Sequence, residues 1–277
     1  MFFVGIYRNL TVMSSNLKPI FNSFSKKTKY SFQRLEIHIV DHCNLNCRAC
    51  AHFSNISPEK YLDIHLFEKD LSEIIKKIDY KLLNILGGEP LLHPDIEVFF
   101  DKARQICPDI DITMTTNGLL LPEMKKEFWE SLNKNEISIR LSVYPVTLKN
   151  AQKYIEIIKM NNAKIWDIWD GRNFYLKKSQ IANSPEEATY KACDATICHQ
   201  LYQGKIYPCP IAAYGSFYNK HFNRDFFYSD GIDIYQNSAE EIHHYLTNPV
   251  INCRTCTQAG AIVDWSKSGF KEDEWDA

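Results

Sequence analysis

The alternation of strands and helices between residues 34 and 169 most strongly limits the folds open to this chain. Strand-like segments occur at 34–40, 81–86, 109–116, 136–144 and 163–169. Segments with apolar residues at helical spacing separate them, at 66–78, 95–106, 122–133 and 148–160. Strands that alternate with helices at this interval form parallel sheets. The pattern therefore predicts an α/β core whose parallel sheet is open or barrel-like.

The pattern changes in the last third of the chain. Residues 198–209 predict a β-hairpin with its turn at Gln203-Gly204, and residues 238–248 predict a helix. We interpret residues 34–185 as the core and residues 186–277 as a small appendix made of a hairpin and a helix.

The N-terminal segment, residues 1–33, contains five basic residues and no acidic residue. We expect it to be an extension that lies over the core or is partly disordered. A transit peptide or a contact with a membrane surface is the alternative, because the segment is basic and rich in Ser and Phe.

The overall composition excludes two classes of function. Lys and Arg number 32 against 34 Asp and Glu, so the formal net charge is −2 and the basic excess of a nucleic-acid binder is missing. The apolar runs are too short for a membrane-spanning helix. We predict a cytoplasmic protein with no nucleic-acid partner and no transmembrane segment.

The nine cysteines fall into two groups with one residue, Cys107, apart from both. An odd number and tight spacing argue against a disulfide framework and favour metal or iron–sulfur ligation in a reducing compartment. We interpret Cys107 as an ordinary core or surface thiol.

Three cysteines of the first group, Cys43, Cys47 and Cys50, form a C-x3-C-x2-C array directly after the first strand. Three thiolates can hold three irons of a four-iron cluster and leave the fourth iron open for a small molecule. A structural zinc site is the alternative, with His42 or His52 as the fourth ligand.

Three further motifs follow at the ends of successive strands. They are Gly87-Gly88-Glu89-Pro90, Thr115-Thr116-Asn117-Gly118 and Ser142. Together with the cysteine array, they resemble the radical S-adenosylmethionine (radical SAM) enzymes. The resemblance implies a partial TIM barrel of the (βα)6 type, a four-iron cluster on the three cysteines, and S-adenosylmethionine as cosubstrate. It also implies cosubstrate contacts from Gly87, Gly88, Glu89, Pro90, Thr115, Thr116, Asn117 and Ser142, and a reduced flavodoxin or ferredoxin as electron donor.

One position departs from the family pattern. The residue before the third cysteine is usually aromatic in this family, and here it is Ala49. We expect the adenine to meet Phe53 or His52 instead, with a structural hydrogen bond as the alternative role of His52.

The second group of cysteines resembles the auxiliary-cluster domain called twitch or SPASM. One cysteine precedes the hairpin, one follows it, and Cys253 and Cys256 complete the set. The spacing favours Cys193 over Cys198 as the first, so we expect a second four-iron cluster on Cys193, Cys209, Cys253 and Cys256, with Cys198 in reserve. A structural zinc site is the alternative. If Cys198 is not a ligand, it is a buried thiol or a catalytic donor of hydrogen to the substrate.

The resemblance implies an enzyme that abstracts a hydrogen atom from a small molecule. We expect a sugar or sugar nucleotide of surface-polysaccharide or secondary metabolism, with oxidation or epimerisation as the outcome and Trp166, Trp169 and Arg172 as candidate contacts. A peptide- or protein-modifying maturase is the first alternative, and a zinc-binding module without activity is the second.

Overall fold

The computed structural model describes residues 30–178, 183–228 and 231–277. The predicted N-terminal extension therefore lies outside the described residues, except for its last four. Of these, Ser31 already begins the first strand.

The core contains five strands and the helices that connect them. The strands are β1 (Ser31–Val40), β2 (Asp79–Gly87), β3 (Asp111–Thr116), β4 (Ser138–Val143) and β5 (Lys164–Asp170). The helices are α1 (Ile64–Lys77), α2 (Ile96–Ile106), α3 (Lys126–Lys134), α4 (Pro145–Leu148) and α5 (Ala151–Met160). All neighbouring core strands pair in parallel, which confirms the predicted α/β class.

The remaining strands and helices follow β5 in the chain. They are β6 (Asn173–Lys178), α6 (Glu186–Lys191), β7 (Cys198–Tyr202), β8 (Lys205–Tyr207), α7 (Pro210–Phe222), β9 (Ile232–Asp233), α8 (Ala239–Leu246) and β10 (Cys256–Asp264). The predicted hairpin is β7–β8, and its turn residues Gln203 and Gly204 both have positive φ angles, as a two-residue hairpin turn requires. The predicted late helix is α8.

The sheet order joins the two parts of the chain. The order is β5-β4-β3-β2-β1-β7-β8-β9, and β7 pairs in parallel with β1. The sixth parallel strand therefore comes from the hairpin. Strand β6, the sixth in chain order, pairs in an antiparallel ladder with β10 instead.

Two predicted helices differ from the observed ones. The helix expected at 122–133 begins with a separate 3-10 turn at Leu121–Glu123, and α3 starts only at Lys126 because the backbone at Met124 is extended. The helix expected at 148–160 is divided into α4 and α5, which are separated by a turn at residues 149–150.

The two faces of the sheet differ in chemistry. On one face, β1 packs against α1 in a single apolar cluster that includes Leu35, Ile37, Ile39, Phe67, Leu71 and Ile74. Alternate residues of a strand point to opposite faces, so Arg34, Glu36 and His38 lie on the other face. Apolar burial thus attaches the helices to one side and leaves a polar inner face. No helix in the described part of the chain is long and apolar enough to cross a membrane.

Candidate active site

The loop after β1 carries the first three cysteines. Ala49 and Phe53 adopt left-handed backbone conformations, with φ of 59° and 54°. Burial raises the pKa of the Cys50 thiol, and the main-chain N–H groups of Ser54, His52 and Phe53 oppose that rise because they favour a charged sulfur. The loop is therefore built to surround the Cys50 sulfur with donors.

The other two sulfurs of this loop also accept N–H donors. The main-chain N–H of Leu45 donates to Cys43 Sγ at 3.3 Å, and Asn117 Nδ2 lies 3.9 Å from the same sulfur. The indole Nε1 of Trp265 donates to Cys47 Sγ at 3.1 Å. Sulfur accepts strong hydrogen bonds only as a thiolate, so this donor set suits metal-bound cysteines.

The pKa shifts of the cysteines in this loop also favour a bound metal group. Burial, and then repulsion from Cys50, raise the pKa of Cys47 to about 12. Burial, followed by the nearby charge of Glu89, raises the pKa of Cys43 well above its usual value. Three thiolates are thus unfavourable here unless positive charge lies beside them, and an iron–sulfur cluster supplies that charge.

Among the described residues, no group of three His, Cys, Asp or Glu side chains is arranged in a way that could hold a metal ion. The donors around the sulfurs, and not a preformed ligand geometry, are what favour a metal group at this loop.

The two glycines after β2 allow a close approach to the cysteine loop. A Cβ on Gly87 would lie 2.2 Å from the carbonyl oxygen of Val40, and one on Gly88 would lie 2.1 Å from that of His42. The N–H of Gly88 donates to Val40 O at 2.8 Å, and the N–H of Glu89 donates to His42 O at 3.1 Å. Only glycine fits at these positions, so the motif fixes the end of β2 against the start of the loop.

Glu89 connects this motif to the end of β3. It is fully buried, and its carboxylate accepts from Thr116 Oγ1 at 2.7 Å and from the N–H of Asn117 at 2.9 Å. Burial raises the pKa of Glu89 to about 7. The Asn117 amide then donates to Asn44 Oδ1 at 2.7 Å, inside the cysteine loop. Glu89 therefore acts within the protein, and it aligns the two motifs.

The remaining predicted cosubstrate contacts are placed differently. Pro90 is buried at the start of a 3-10 turn, and Ser142 is buried near the end of β4. Thr115 Oγ1 donates to Asn84 Oδ1 at 2.9 Å, so its hydroxyl belongs to the polar inner face. The structure brings Glu89, Thr116 and Asn117 to the cysteine loop and leaves Thr115 below it.

The expectation for Phe53 is wrong. Its side chain is 1% exposed and stacks on Trp275 with ring centroids 5.8 Å apart, inside an apolar cluster. A ring in this position is held in the protein core and does not face a ligand. His52 makes a hydrogen bond to His38, with 2.6 Å between Nδ1 and Nε2, as the structural alternative predicts.

Sequence reasoning missed Tyr144. Its half-buried side chain lies within electrostatic range of Cys47, Cys50, Cys43 and Glu89, and desolvation of the hydroxyl raises its pKa. A Cβ on Gly171 would lie 2.7 Å from the Tyr144 ring, so the absence of a side chain there makes room for it. The available signal was its position at the carboxyl end of β4, where strand ends form the active face of such barrels.

Four cysteines of the second group, Cys193, Cys209, Cys253 and Cys256, lie near the start of α7. Cys209 caps this helix, and its sulfur accepts the N–H of Ala212 at 3.5 Å. Burial, and then the charges of Cys256, Cys193 and Cys253, raise the pKa of Cys209. All nine cysteines are described, and none forms a disulfide.

Cys198 lies elsewhere, on the inner face of the sheet. Arg34 Nη2 donates to its sulfur at 2.7 Å, and burial raises the pKa of the thiol to about 11. Cys107 is buried in the main apolar cluster behind α2.

Of the aromatic candidates on β5, only Trp169 lies beside Tyr144, with ring centroids 5.9 Å apart. Trp166 and Trp169 are similarly exposed, at 46% and 44%, and Arg172 forms an exposed ion pair with Asp170.

The core of the chain is similar to known proteins. The sequence model of the Radical SAM superfamily matches residues 37–168. The GTP 3',8-cyclase of Aliarcobacter butzleri is 31% identical over 141 residues, which cover 48% of this chain and 40% of the cyclase. The GTP 3',8-cyclase of Nautilia profundicola is 28% identical over 137 residues, which cover 48% of this chain and 42% of that enzyme. The chain thus spans about two fifths of the curated relatives it matches.

A solved structure extends the likeness in fold. The crystal structure of BtrN in complex with AdoMet and 2-DOIA aligns with a TM-score of 0.50 and 16% identity, over 82% of this chain and 93% of that chain. The superfamily model thus matches 132 of the 277 residues, and this part of the chain resembles a Radical SAM domain. The predicted α/β class of the core is confirmed.

Proposed function

We propose that this chain binds a four-iron cluster at Cys43, Cys47 and Cys50 and uses S-adenosylmethionine to abstract a hydrogen atom from a small polar substrate. The observation that carries the proposal is the set of N–H donors around these three sulfurs, next to the glycine motif. When bound, the cluster would supply the electron that splits S-adenosylmethionine into methionine and a 5′-deoxyadenosyl radical. A flavodoxin or ferredoxin would provide that electron.

The polar inner face supports a small substrate rich in hydroxyl groups. The carboxylate of Glu36 accepts from Gln200 Nε2 at 2.6 Å and from Asn84 Nδ2 at 3.1 Å. Tyr214 donates to Gln200 Oε1 at 3.2 Å, and Thr113 donates to Asn84 Oδ1 at 3.0 Å. A barrel interior is usually filled by branched apolar side chains. The donors and acceptors in their place are buried and bonded to one another, so a sugar would bind by exchanging some of these hydrogen bonds.

The charges on this face balance in pairs. Arg140 makes a bidentate contact with Asp167, at 3.0 and 2.9 Å, and Arg34 Nε lies 3.3 Å from Glu36 Oε1. In each of these two pairs, the positive charge is balanced by a negative charge. Balanced charges favour a sugar, or the sugar part of a sugar nucleotide, over a strongly charged ligand.

We infer that Cys193, Cys209, Cys253 and Cys256 hold a second four-iron cluster in a twitch-like domain. The charges of the other three on Cys209 support this set, and the pairing of Cys198 with Arg34 supports leaving Cys198 out. A fully ligated cluster can accept the second electron of an oxidation. Cys198, on the inner face, is our candidate for returning a hydrogen atom if the outcome is epimerisation.

The test is anaerobic reconstitution followed by product analysis. We expect about eight irons per chain, and formation of methionine and 5′-deoxyadenosine with dithionite. Replacing Cys50 by Ala should abolish product formation, whereas Cys107→Ala, a buried thiol outside both groups, should not. Deuterium transfer from labelled sugars to 5′-deoxyadenosine would identify the substrate class. Transfer only from a peptide would favour a maturase, and zinc with no product would overturn the proposal.

A further inference from the structure

A C-terminal segment lies directly across the cysteine loop. The N–H of Arg48 donates to Ser266 O at 2.9 Å, and the N–H of Ser268 donates to Asn46 O at 2.9 Å. Between them, Cys47 and Lys267 form an isolated antiparallel bridge. We call Trp265–Ser268 the clasp. Its main-chain contacts hold it in register with the middle cysteine of the array.

The clasp directs one side chain at a sulfur. Trp265 Nε1 donates to Cys47 Sγ at 3.1 Å, and the Trp265 N–H donates to Arg172 O at 2.7 Å. The main-chain hydrogen bond to Arg172 fixes the position of the Trp265 backbone. The contacts of the clasp fix the direction in which the indole points. An indole can only donate, so its single polar atom favours negative charge on the sulfur.

A second tryptophan provides a comparison within the same loop. Trp275 Nε1 donates to the carbonyl oxygen of Cys50 at 2.9 Å, and its ring is 4% exposed. Both indoles brace the cysteine loop, but only Trp265 reaches a sulfur. Comparing variants of the two tryptophans therefore distinguishes an effect on the metal group from a general effect on the cysteine loop.

We propose that Trp265 sets the reduction potential of the cluster at Cys43, Cys47 and Cys50 through its N–H···S hydrogen bond. The inference rests on the proposed function, because it requires a cluster at this site. Reduction adds one negative charge to the cluster and its sulfurs. A donor aimed at a ligand sulfur stabilises the more negative state and raises the potential. Trp265 therefore makes the cluster easier to reduce.

The test is a redox titration of the reconstituted protein, followed by electron paramagnetic resonance. Trp265→Phe should lower the equilibrium ratio of reduced to oxidised cluster at a fixed potential about tenfold, which corresponds to about 59 mV for one electron. Trp275→Phe should leave the potential at the wild-type value, since its bond ends on a carbonyl. Iron and sulfide content is measured on every sample.

A second variant at position 265 keeps the test valid if Trp265→Phe loses the cluster. Incorporating 3-benzothienylalanine at position 265 replaces the N–H by sulfur and keeps the ring shape. It should produce the same negative shift with unchanged iron content. An unchanged potential in this variant overturns the inference. Failure of the wild-type chain to bind any iron would instead overturn the proposed function, so the two failures are distinguishable.

Discussion

Adding one methyl group at Gly88 should separate the glycine motif from the cysteine loop. The new Cβ would lie 2.1 Å from His42 O and 2.3 Å from His42 C, and both are backbone atoms that cannot rotate away. Real Cβ contacts are essentially never under 3.0 Å, so the two segments must move apart by at least 0.9 Å, the difference between 3.0 and 2.1 Å.

That movement breaks a specific bond. The Glu89 N–H lies 3.1 Å from His42 O, and a further 0.9 Å places it at 4.0 Å, outside hydrogen-bond distance. Losing this bond costs about 1 kcal/mol, and overpacking adds about 1–3 kcal/mol. We therefore expect Gly88→Ala to lower the free energy of unfolding by about 2–4 kcal/mol.

Urea denaturation measures this change, and iron content after reconstitution measures the effect on the loop. Gly269→Ala is the matched control, because its Cβ would meet only flexible side chains, Glu274 at 3.3 Å and Lys271 at 4.0 Å. It should change stability by less than about 0.5 kcal/mol. If Gly88→Ala matched this control in both stability and iron content, the close approach would not be what positions the loop.

Three further predictions concern single side chains. Cys193→Ala should lower iron content by about half, whereas Cys198→Ala should leave it unchanged; equal iron loss in both would contradict the choice of ligands. His199 is buried, and burial lowers its pKa to about 4, so folding disfavours its charged form. The free energy of unfolding should therefore fall by up to about 3 kcal/mol as the pH falls from about 6.5 to 4. In acid denaturation, His199→Gln should not show this loss of stability. Tyr144→Phe should keep the iron content and unfolding temperature but reduce 5′-deoxyadenosine formation about tenfold, and an unchanged rate would exclude a role for the hydroxyl.

The local patterns in the sequence were sufficient to predict the strands of the core. Each of the five predicted core strands lies where the sequence placed it, because apolar alternation reports burial on one face of a sheet. The motif residues Glu89, Thr116 and Asn117 meet the cysteine loop because parallel strands end at the same edge.

The contacts that the sequence did not reveal are between distant segments. The hairpin was predicted, but a hairpin pattern does not specify which strand β7 joins. The indole of Trp265 is 218 residues from the sulfur to which it donates. Tyr144 reaches the cysteine loop only because Gly171 leaves space for it. Such contacts depend on three-dimensional packing, which no window of consecutive residues reports.

The pairing of β1 with β7 has a consequence for the folding of the chain on the ribosome. Arg34 and Cys198 are partners in this ladder, although 164 residues separate them. Both the cysteine loop and the other core strands leave the ribosome before β7 does. Until then, one edge of β1 remains unpaired, and unpaired edges are where chains aggregate. Long-range parallel pairing is also slow. A chaperone that covers this edge would protect the nascent chain during the same interval in which the cysteine loop, our proposed cluster site, is not yet covered by the C-terminal segment.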